Sequence, residues 1–236
     1  MSGIATGAGI LIAAQLGPGL VTIPWLRRTA MPRLHGLGRP NHVALTFDDG
    51  PDPRSAPRFL DLLARRGVRA TFFLLGTHVR ANADLVVEMA ALGHELAVHG
   101  WDHGCLAVKR PLVLDEQILR AKDTIENVTQ ASVRHYRPPY GWLTGEGVLA
   151  ARRHGLRTVL WTAWGRDWSA TSTPASIVAR VESGMLPGAT VLLHDTDRTS
   201  APGSWRHTLA ATERLLDRWD AESLQVGPLA EHGRVA

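Results

Sequence analysis

Short apolar runs alternate with longer amphipathic segments from residue 42 onward, and this alternation limits the folds open to the chain. Runs with strand character lie at 42–47, 70–74, 95–98, 134–137, 158–161 and 190–193. Helical patterns lie at 57–66, 83–92, 112–128, 146–154, 174–181 and 205–219. Strands that alternate with helices form a parallel sheet, because a parallel neighbour requires a crossover connection. We therefore predict an α/β fold: a single-domain, distorted (β/α) barrel, similar to a TIM barrel, with seven or eight strands.

Length and charge agree with one globular domain that does not bind nucleic acid. The chain has 236 residues, 44% of them hydrophobic and 20% charged, which is enough for a substantial core. The net charge of +4 and the pI near 10 invite a nucleic-acid interpretation. The basic residues are nearly all arginines scattered singly or in pairs, however, with no run of five. We therefore expect no nucleic-acid partner.

The N-terminal segment and the cysteine content say little about the compartment. Residues 8–24 are largely apolar, but Gly17-Pro18-Gly19 interrupts them and Arg27-Arg28 follows. We divide the chain into an apolar segment at 1–40, the folded domain at 41–230 and a tail at 231–236. The first segment is compatible with a membrane anchor, a signal or a packing helix, so membrane association stays open. Cys105 is the only cysteine, which excludes an internal disulfide.

Polar residues follow the strand-like runs at the points where those runs end. Asp48-Asp49 comes after the first run, and further polar stretches lie at 99–103, 137–141, 167–168 and 194–195. A barrel gathers the C-terminal ends of its strands on one face, so these groups are expected to converge there.

The converging residue types are compatible with a metal site, while an Asx-type turn at Asp48-Asp49 and a chance or capping role of the two histidines stay open as alternatives. Two adjacent carboxylates can divide their work, one holding a metal and the other moving a proton. His99 and His103 are four residues apart, which would place both imidazoles on one side of a helical turn. With one carboxylate they would form an open three-ligand site, as in catalytic zinc centres. The serine-hydrolase elbow, the zincin spacing and the P-loop pattern are all absent.

Together these motifs resemble the polysaccharide deacetylases with a NodB homology domain, carbohydrate esterase family 4. The resemblance covers about 41–230, which would make that segment a NodB-type deacetylase domain. Five family motifs occur in order, at 46–51 (TFDDGP), 99–103 (HGWDH), 137–140 (RPPY), 164–168 (WGRDW) and 192–194 (LLH). The first matches completely and is the most specific.

The resemblance implies a metal site and a general base. Asp49, His99 and His103 would hold a divalent metal, most often Zn2+, with Co2+ or Ni2+ as alternatives. Asp48 would take the proton of the attacking water, and the backbone N–H of Tyr140 would help to hold the oxyanion.

The same resemblance implies an acid side and a pocket. His194 would act as general acid, oriented by Asp167, while Arg137 would pair with Asp48 and keep it ionised. Leu192 and Trp168 would wall a small pocket for the acetyl methyl group.

Two residues depart from the family pattern. Gly100 stands where Ser or Thr usually steadies the loop between the metal histidines, and Trp164 replaces the first Asp of the fourth motif. The first departure puts loop rigidity and metal affinity in question. Asp167 next to Trp168 is retained, so we expect activity to survive.

The predicted function is removal of acetyl groups from N-acetylglucosamine units of a peptidoglycan- or chitin-type glycan. The alternatives are an O-acetyl esterase of xylan type with the same site, and a non-catalytic carbohydrate-binding relative. That relative would be expected to lose the base or a ligand, and here all are present. An acetylated glycan is the expected partner, and oligomeric state stays open. The substrate class favours a membrane-associated or extracytoplasmic location, with the cytoplasm as the alternative.

Overall fold

The computed structural model describes residues 28–104 and 111–233. Most of the predicted N-terminal segment, residues 1–27, lies outside the described residues, as do Cys105 and the last three residues of the predicted tail. Across the two described stretches, no helix is both long and apolar enough to cross a membrane.

Strands and helices alternate along most of the described chain. The strands are β1 (His42–Asp48), β2 (Thr71–Leu75), β3 (Glu95–Gly100), β4 (His135–Tyr136), β5 (Arg157–Thr158), β6 (Ala163–Trp164), β7 (Thr190–His194) and β8 (Gln225–Gly227). The helices are α1 (Pro32–His35), α2 (Ala56–Arg65), α3 (Gly76–Ala81), α4 (Ala83–Ala91), α5 (Pro111–Thr129), α6 (Gly145–Arg153), α7 (Pro174–Ser183) and α8 (Ser204–Ala221). Short 3-10 turns lie at Pro139–Gly141 and Leu229–Glu231.

The strands form one curled parallel sheet, which confirms the predicted distorted (β/α) barrel. Neighbours follow the order β5-β4-β3-β2-β1-β7-β6, and β8 pairs with the first residues of β1. Every ladder recorded between these strands is parallel. β1 lies at the centre and is buried along its whole length, as is usual for a strand covered on both faces.

The prediction of one strand at 158–161 is wrong, because this apolar run crosses the gap between the two sheet edges. β5 ends at Thr158 on one edge, and β6 begins at Ala163 on the other. The crossing residues bond to both edges: Val159 N–H donates to Tyr136 O (3.0 Å), and Thr162 N–H donates to Thr190 O (3.0 Å). The run therefore leaves one edge of the sheet and joins the other, so it is divided between two short strands instead of forming one.

Alternation of side chains along β1 separates the core from the site. Val43, Leu45 and Phe47 belong to the large apolar cluster that includes the helices, whereas Ala44 belongs to a smaller cluster with Phe73. Because the strand period is two, Asp48 lies on the same face as Ala44, inside the curled sheet. The register pairs Asp48 with His194 on β7, so both side chains reach the same end of the barrel.

The other predicted strand runs each overlap an observed strand, and each predicted helix overlaps an observed helix. The sequence patterns missed β6, β8, α1 and α3. All four are short, and periodicity is a weak signal over two to six residues.

Candidate active site

Asp48 is fixed at the end of β1 by a buried ion pair. Arg137 Nη1 donates to Asp48 Oδ1 (2.7 Å) and to Thr46 Oγ1 (2.8 Å), and Nη2 donates to Leu160 O (2.9 Å). The guanidinium is fully buried and packs 4.0 Å from the centroid of the Phe73 ring. Arg137 thus joins the central strand to the segment that crosses the sheet gap, and it neutralises a carboxylate that would be costly to bury alone.

Asp49 faces a different environment because the backbone turns at this residue. Its φ of 77° lies in the left-handed region, which turns it out of the strand geometry of Asp48. Oδ1 of Asp49 lies 3.1 Å from Nε2 of His99 and 3.2 Å from Nε2 of His103. Burial alone would raise the pKa of Asp49, but contact with His99 and the charges of His194, His99 and His103 hold it far below its usual range.

These three side chains fit a divalent cation. His99 Nδ1 lies 2.9 Å from the Arg137 carbonyl, so that nitrogen is the donor and Nε2 of a neutral ring carries a lone pair. That lone pair faces a carboxylate oxygen, an arrangement that a cation between them would stabilise. Asp49 Oδ1 is buried and has no hydrogen-bond partner among the described residues. Burial also lowers the pKa of His103, which favours its neutral, ligating form.

The two histidines are not on a helical turn, contrary to the prediction from their spacing. His99 belongs to β3, and His103 lies in the bend that follows it. The β3 ladder changes register there: Leu74 pairs with Val98, and Leu75 with Gly100, so His99 is the extra residue of a bulge. A bulge redirects a side chain, which explains how both rings reach Asp49.

Gly100 and Trp101 shape the loop between the two histidines. Gly100 has a φ of 128°, a backbone conformation that Ser and Thr residues rarely adopt. Trp101 packs so closely on Gly76 that a Cβ there would lie 2.5 Å from the indole, and Thr77 N–H donates to Trp101 O (2.9 Å). Arg120 lies 3.8 Å from the centroid of the Trp101 ring, a cation–π contact. Packing of Trp101 therefore holds this loop in place, although Gly100 lacks the Ser or Thr side chain that usually steadies it.

His194, at the end of β7, is held by Asp167. Its Nδ1 lies 3.0 Å from Asp167 Oδ1, and its backbone N–H donates to Oδ2 (2.7 Å). Thr208 Oγ1 also donates to Oδ2 (2.9 Å), which completes the anchoring of that carboxylate. Burial would lower the pKa of His194, but the charge of Asp167, with Asp49 and Asp48 nearby, raises it to about 10. The ring is therefore a cation that can donate a proton.

A cleft of about 230 Å³ connects these groups. Tyr140, Trp168 and Leu192 line it together with Asp48, Asp49, His99, His103 and His194. Tyr140 packs against His103 at a ring distance of 4.4 Å, and Trp168 against His194 at 5.6 Å. Arg137 and Asp167 lie behind the cleft, in contact with Asp48 and His194. The structure thus brings all ten predicted site residues into one region.

Sequence patterns assigned no role to Trp161, Thr199 and Ser200, which line the cleft, or to Asp195, which follows His194. Thr199 Oγ1 donates a hydrogen bond to Asp49 Oδ2. Asp195 is fully buried, and a Cβ at Gly50 would lie 2.8 Å from its carboxylate oxygens. Burial, with the charge of Asp49 nearby, raises the pKa of Asp195 to about 8. For Asp195 the signal was its place beside His194, but Thr199 lies in a loop with no pattern.

Comparison with known proteins places the chain among carbohydrate deacetylases. The sequence model of the family described as polysaccharide deacetylase matches residues 36–159. A chitooligosaccharide deacetylase from Sinorhizobium fredii is 38% identical over 187 residues, which cover 77% of this chain and 86% of that protein.

Solved structures agree on the fold and include one protein without activity. A peptidoglycan N-acetylglucosamine deacetylase, Bc1960, superposes with a TM-score of 0.77 at 26% identity over 85% of this chain and 92% of that one. BA3943 from Bacillus anthracis, described as a family 4 pseudoenzyme, superposes with a TM-score of 0.75 at 27% identity over 84% of this chain and 69% of that one. Membership of the fold therefore does not guarantee turnover, and the site residues carry the functional argument.

Proposed function

The chain belongs to the polysaccharide deacetylase family, carbohydrate esterase family 4, and from this premise we propose that it removes acetyl groups from N-acetylglucosamine units by metal-assisted hydrolysis. Its relatives include a chitooligosaccharide deacetylase and a peptidoglycan N-acetylglucosamine deacetylase, which support an oligosaccharide or a peptidoglycan-type polymer as substrate.

The observation that carries the proposal is the different fate of two adjacent carboxylates. Asp48 is paired with the buried Arg137, whereas Asp49 presents an oxygen without a hydrogen-bond partner to two imidazole nitrogens. A structural pair of aspartates would gain nothing from this division. A hydrolase that needs one base and one metal ligand requires it.

Asp49, His99 and His103 would hold the metal, and the set of one carboxylate and two imidazoles suits Zn2+ best. When bound, such an ion supplies a Lewis acid that polarises the acetyl carbonyl and lowers the pKa of water to about 7.

Asp48 acts as the base through its free oxygen. Arg137 occupies Oδ1, so Oδ2 is the oxygen that accepts the proton of the attacking water. Arg137 Nη2 also donates to the carbonyl of Leu160, and this bond holds the guanidinium in place beside Oδ1.

His194 acts as the acid on the other side of Asp49. Its Nδ1 contact with Asp167 favours the cation and points Nε2 towards the cleft, 3.8 Å from Asp49 Oδ2. Nε2 is therefore the atom that donates a proton to the leaving amine.

The walls of the cleft match a sugar that carries a small acyl group. Leu192 and Trp168 provide apolar surface for the acetyl methyl group. Tyr140 beside His103 is 60% exposed, and Trp164 on the His194 side, in contact with Trp168, is 36% exposed. Exposed rings on both sides of the cleft suit stacking on neighbouring pyranose rings, so we propose a glycan groove in which longer oligomers react faster than the monomer.

The test is acetate release from N-acetylglucosamine oligomers, peptidoglycan and acetylated xylan, with the metal stripped and then restored. We expect release from the first two, dependent on the metal and faster for longer oligomers. Asp48→Asn is the matched control, because it removes the base and leaves the three proposed ligands intact.

The other outcomes separate the alternatives. Release from acetylated xylan alone would replace the proposal with an O-acetyl esterase. Absence of release from every substrate by the protein with bound zinc would indicate a non-catalytic relative, as BA3943 is described to be.

A further inference from the structure

A loop outside the family motifs closes one side of the cleft. Residues 195–203 connect β7 to α8, and we call them the β7–α8 loop. Thr199 and Ser200 of this loop line the cleft. The Thr199 hydroxyl donates to Oδ2 of Asp49, which is the carboxylate oxygen that does not face His99 and His103.

The β7–α8 loop is anchored at several points, so the position of Thr199 is defined. Arg54 bridges Asp52 (2.8 Å) and Asp197 (2.7 Å), which joins this loop to the segment that follows Asp49. Thr196 Oγ1 donates to Asp52 Oδ2 (3.1 Å), which adds a second link between the two segments.

Two backbone contacts complete the anchoring on the side that leads into α8. Gly203 N–H donates to Asp197 Oδ2 (2.6 Å), and Ala201 N–H donates to Trp168 O (2.9 Å). The loop therefore contacts the β1 side of the cleft and the His194 side at once.

We propose that Thr199 is a positioning residue that holds the Asp49 carboxylate as a one-oxygen metal ligand. A carboxylate ligand needs a partner for its second oxygen, because an unrestrained group can rotate or offer both oxygens to the ion. With Oδ2 occupied by the hydroxyl, Oδ1 remains directed at His99 and His103.

The same contact separates the metal ligand from the general acid. His194 Nε2 lies 3.8 Å from Asp49 Oδ2, a distance that a small rotation of the carboxylate would close. Without the Thr199 hydroxyl, Oδ2 would take His194 as its partner, and both groups would be drawn from their roles. Thr199 thus keeps Asp49 and His194 apart.

This inference rests on the proposed metal site, and zinc binding to the full-length protein tests it without reference to turnover. Zn2+ would be titrated against a competing chelator for the wild type, Thr199→Val and Thr199→Ser. Replacement of a residue that hydrogen-bonds to a metal ligand typically weakens metal affinity by about 10–100-fold. We expect Thr199→Val to weaken zinc binding by about that factor and Thr199→Ser to restore it, because only the hydroxyl is required.

Two controls make the result specific. Ser200→Ala alters the neighbouring hydroxyl of the same cleft wall and is expected to leave zinc affinity within about threefold of the wild type, below the range expected for a lost ligand partner. Thr199 is exposed, so its replacement is not expected to unfold the protein; if Val is not tolerated, Thr199→Ala removes the hydroxyl with less bulk.

The variants distinguish failure of this inference from failure of the proposed function. Wild-type zinc affinity in Thr199→Val would overturn the role of Thr199. Zinc binding that survives Asp49→Ala would overturn the metal site itself. Equal losses in Thr199→Val and Thr199→Ser would show that loop packing, not the hydroxyl, is responsible, and would also overturn the inference.

Discussion

Histidines lie at both ends of this barrel, and His194 at one end differs from the His42–His232 pair at the other in its hydrogen-bond partner. At the C-terminal end of the strands, His194 contacts the Asp167 carboxylate, and its pKa is raised to about 10. At the N-terminal end, His42 and His232 contact each other through their Nδ1 atoms at 2.8 Å. Burial, with Arg39 nearby, lowers the pKa of both rings to about 4.

The hydrogen bonds of the N-terminal pair identify the neutral tautomers. His232 Nε2 lies 3.0 Å from Gly188 O and 3.3 Å from Gly36 O, so it must be the donor. Its Nδ1 then accepts from His42 Nδ1, and within the described residues neither ring is hydrogen-bonded to a carboxylate. Burial lowers the pKa of all three rings. Only His194 has a carboxylate partner, and the charge of Asp167 outweighs burial and raises the pKa of that ring. We call the cleft with its charged His194 the reactive end, and the surroundings of the uncharged His42–His232 pair the neutral end.

The largest expected effect is at the carboxylate that organises the reactive end. Asp49→Ala should abolish zinc binding and reduce turnover by roughly 10³-fold or more, as for loss of an essential catalytic group. The measurement is metal content together with acetate release. Metal stoichiometry equal to that of the wild type would refute the ligand assignment, and circular dichroism would verify that the variant is folded.

Asp167→Asn should make His194 resemble the histidines of the neutral end. The substitution keeps the shape but removes the charge that opposes burial, so we expect kcat to fall by about 10²–10⁴-fold. Thr208→Val is the matched control, since it removes only one bond to Asp167, and its effect should be clearly smaller. A kcat for Asp167→Asn close to the wild-type value would contradict the role of this carboxylate.

Arg137→Met tests the buried ion pair with Asp48 at the reactive end. Removal of one partner leaves Asp48 as an unpaired buried charge, which typically costs about 3–5 kcal/mol in the free energy of unfolding. Urea denaturation would measure this cost at neutral pH. Asp48→Asn in the same background should recover much of it, and an unchanged stability of the single variant would show that the ion pair is dispensable.

The smallest expected effect concerns the neutral histidine pair and has a defined pH window. The folded-state pKa values near 4 lie below the ordinary value of 6.5, so between these values the unfolded chain binds protons that the native protein does not. Stability should therefore fall as pH drops from 6.5 towards 4, and the contribution of His232 alone is about 3 kcal/mol. His232→Gln should flatten this part of the stability profile, measured by urea denaturation at each pH. The exposed His207→Gln should leave the slope as in the wild type, and an unchanged slope in His232→Gln would contradict the assignment.

The motifs located the reactive end well, whereas the neutral end carried no recognisable signal. The first motif and its strand could be predicted because an apolar strand that ends in two carboxylates is a local pattern. His42 and His232 belong to one pair but are 190 positions apart in sequence, so no local pattern connects them. The spacing of His99 and His103 indicated the right pair for the wrong reason, since a bulge and a bend bring them together.

The alternation of strands and helices and the candidate chemistry followed from local residue periodicity and from motifs a few residues long. Three features depended on packing between distant segments: the crossing of the sheet gap at 159–162, the contacts of Arg137 with that crossing, and the contact of Thr199 with Asp49, 150 positions away. Local patterns report which face a side chain takes, because that depends on a period of two or 3.6 residues. They do not report which distant atom completes a hydrogen bond, because the curvature of the closed sheet sets that distance.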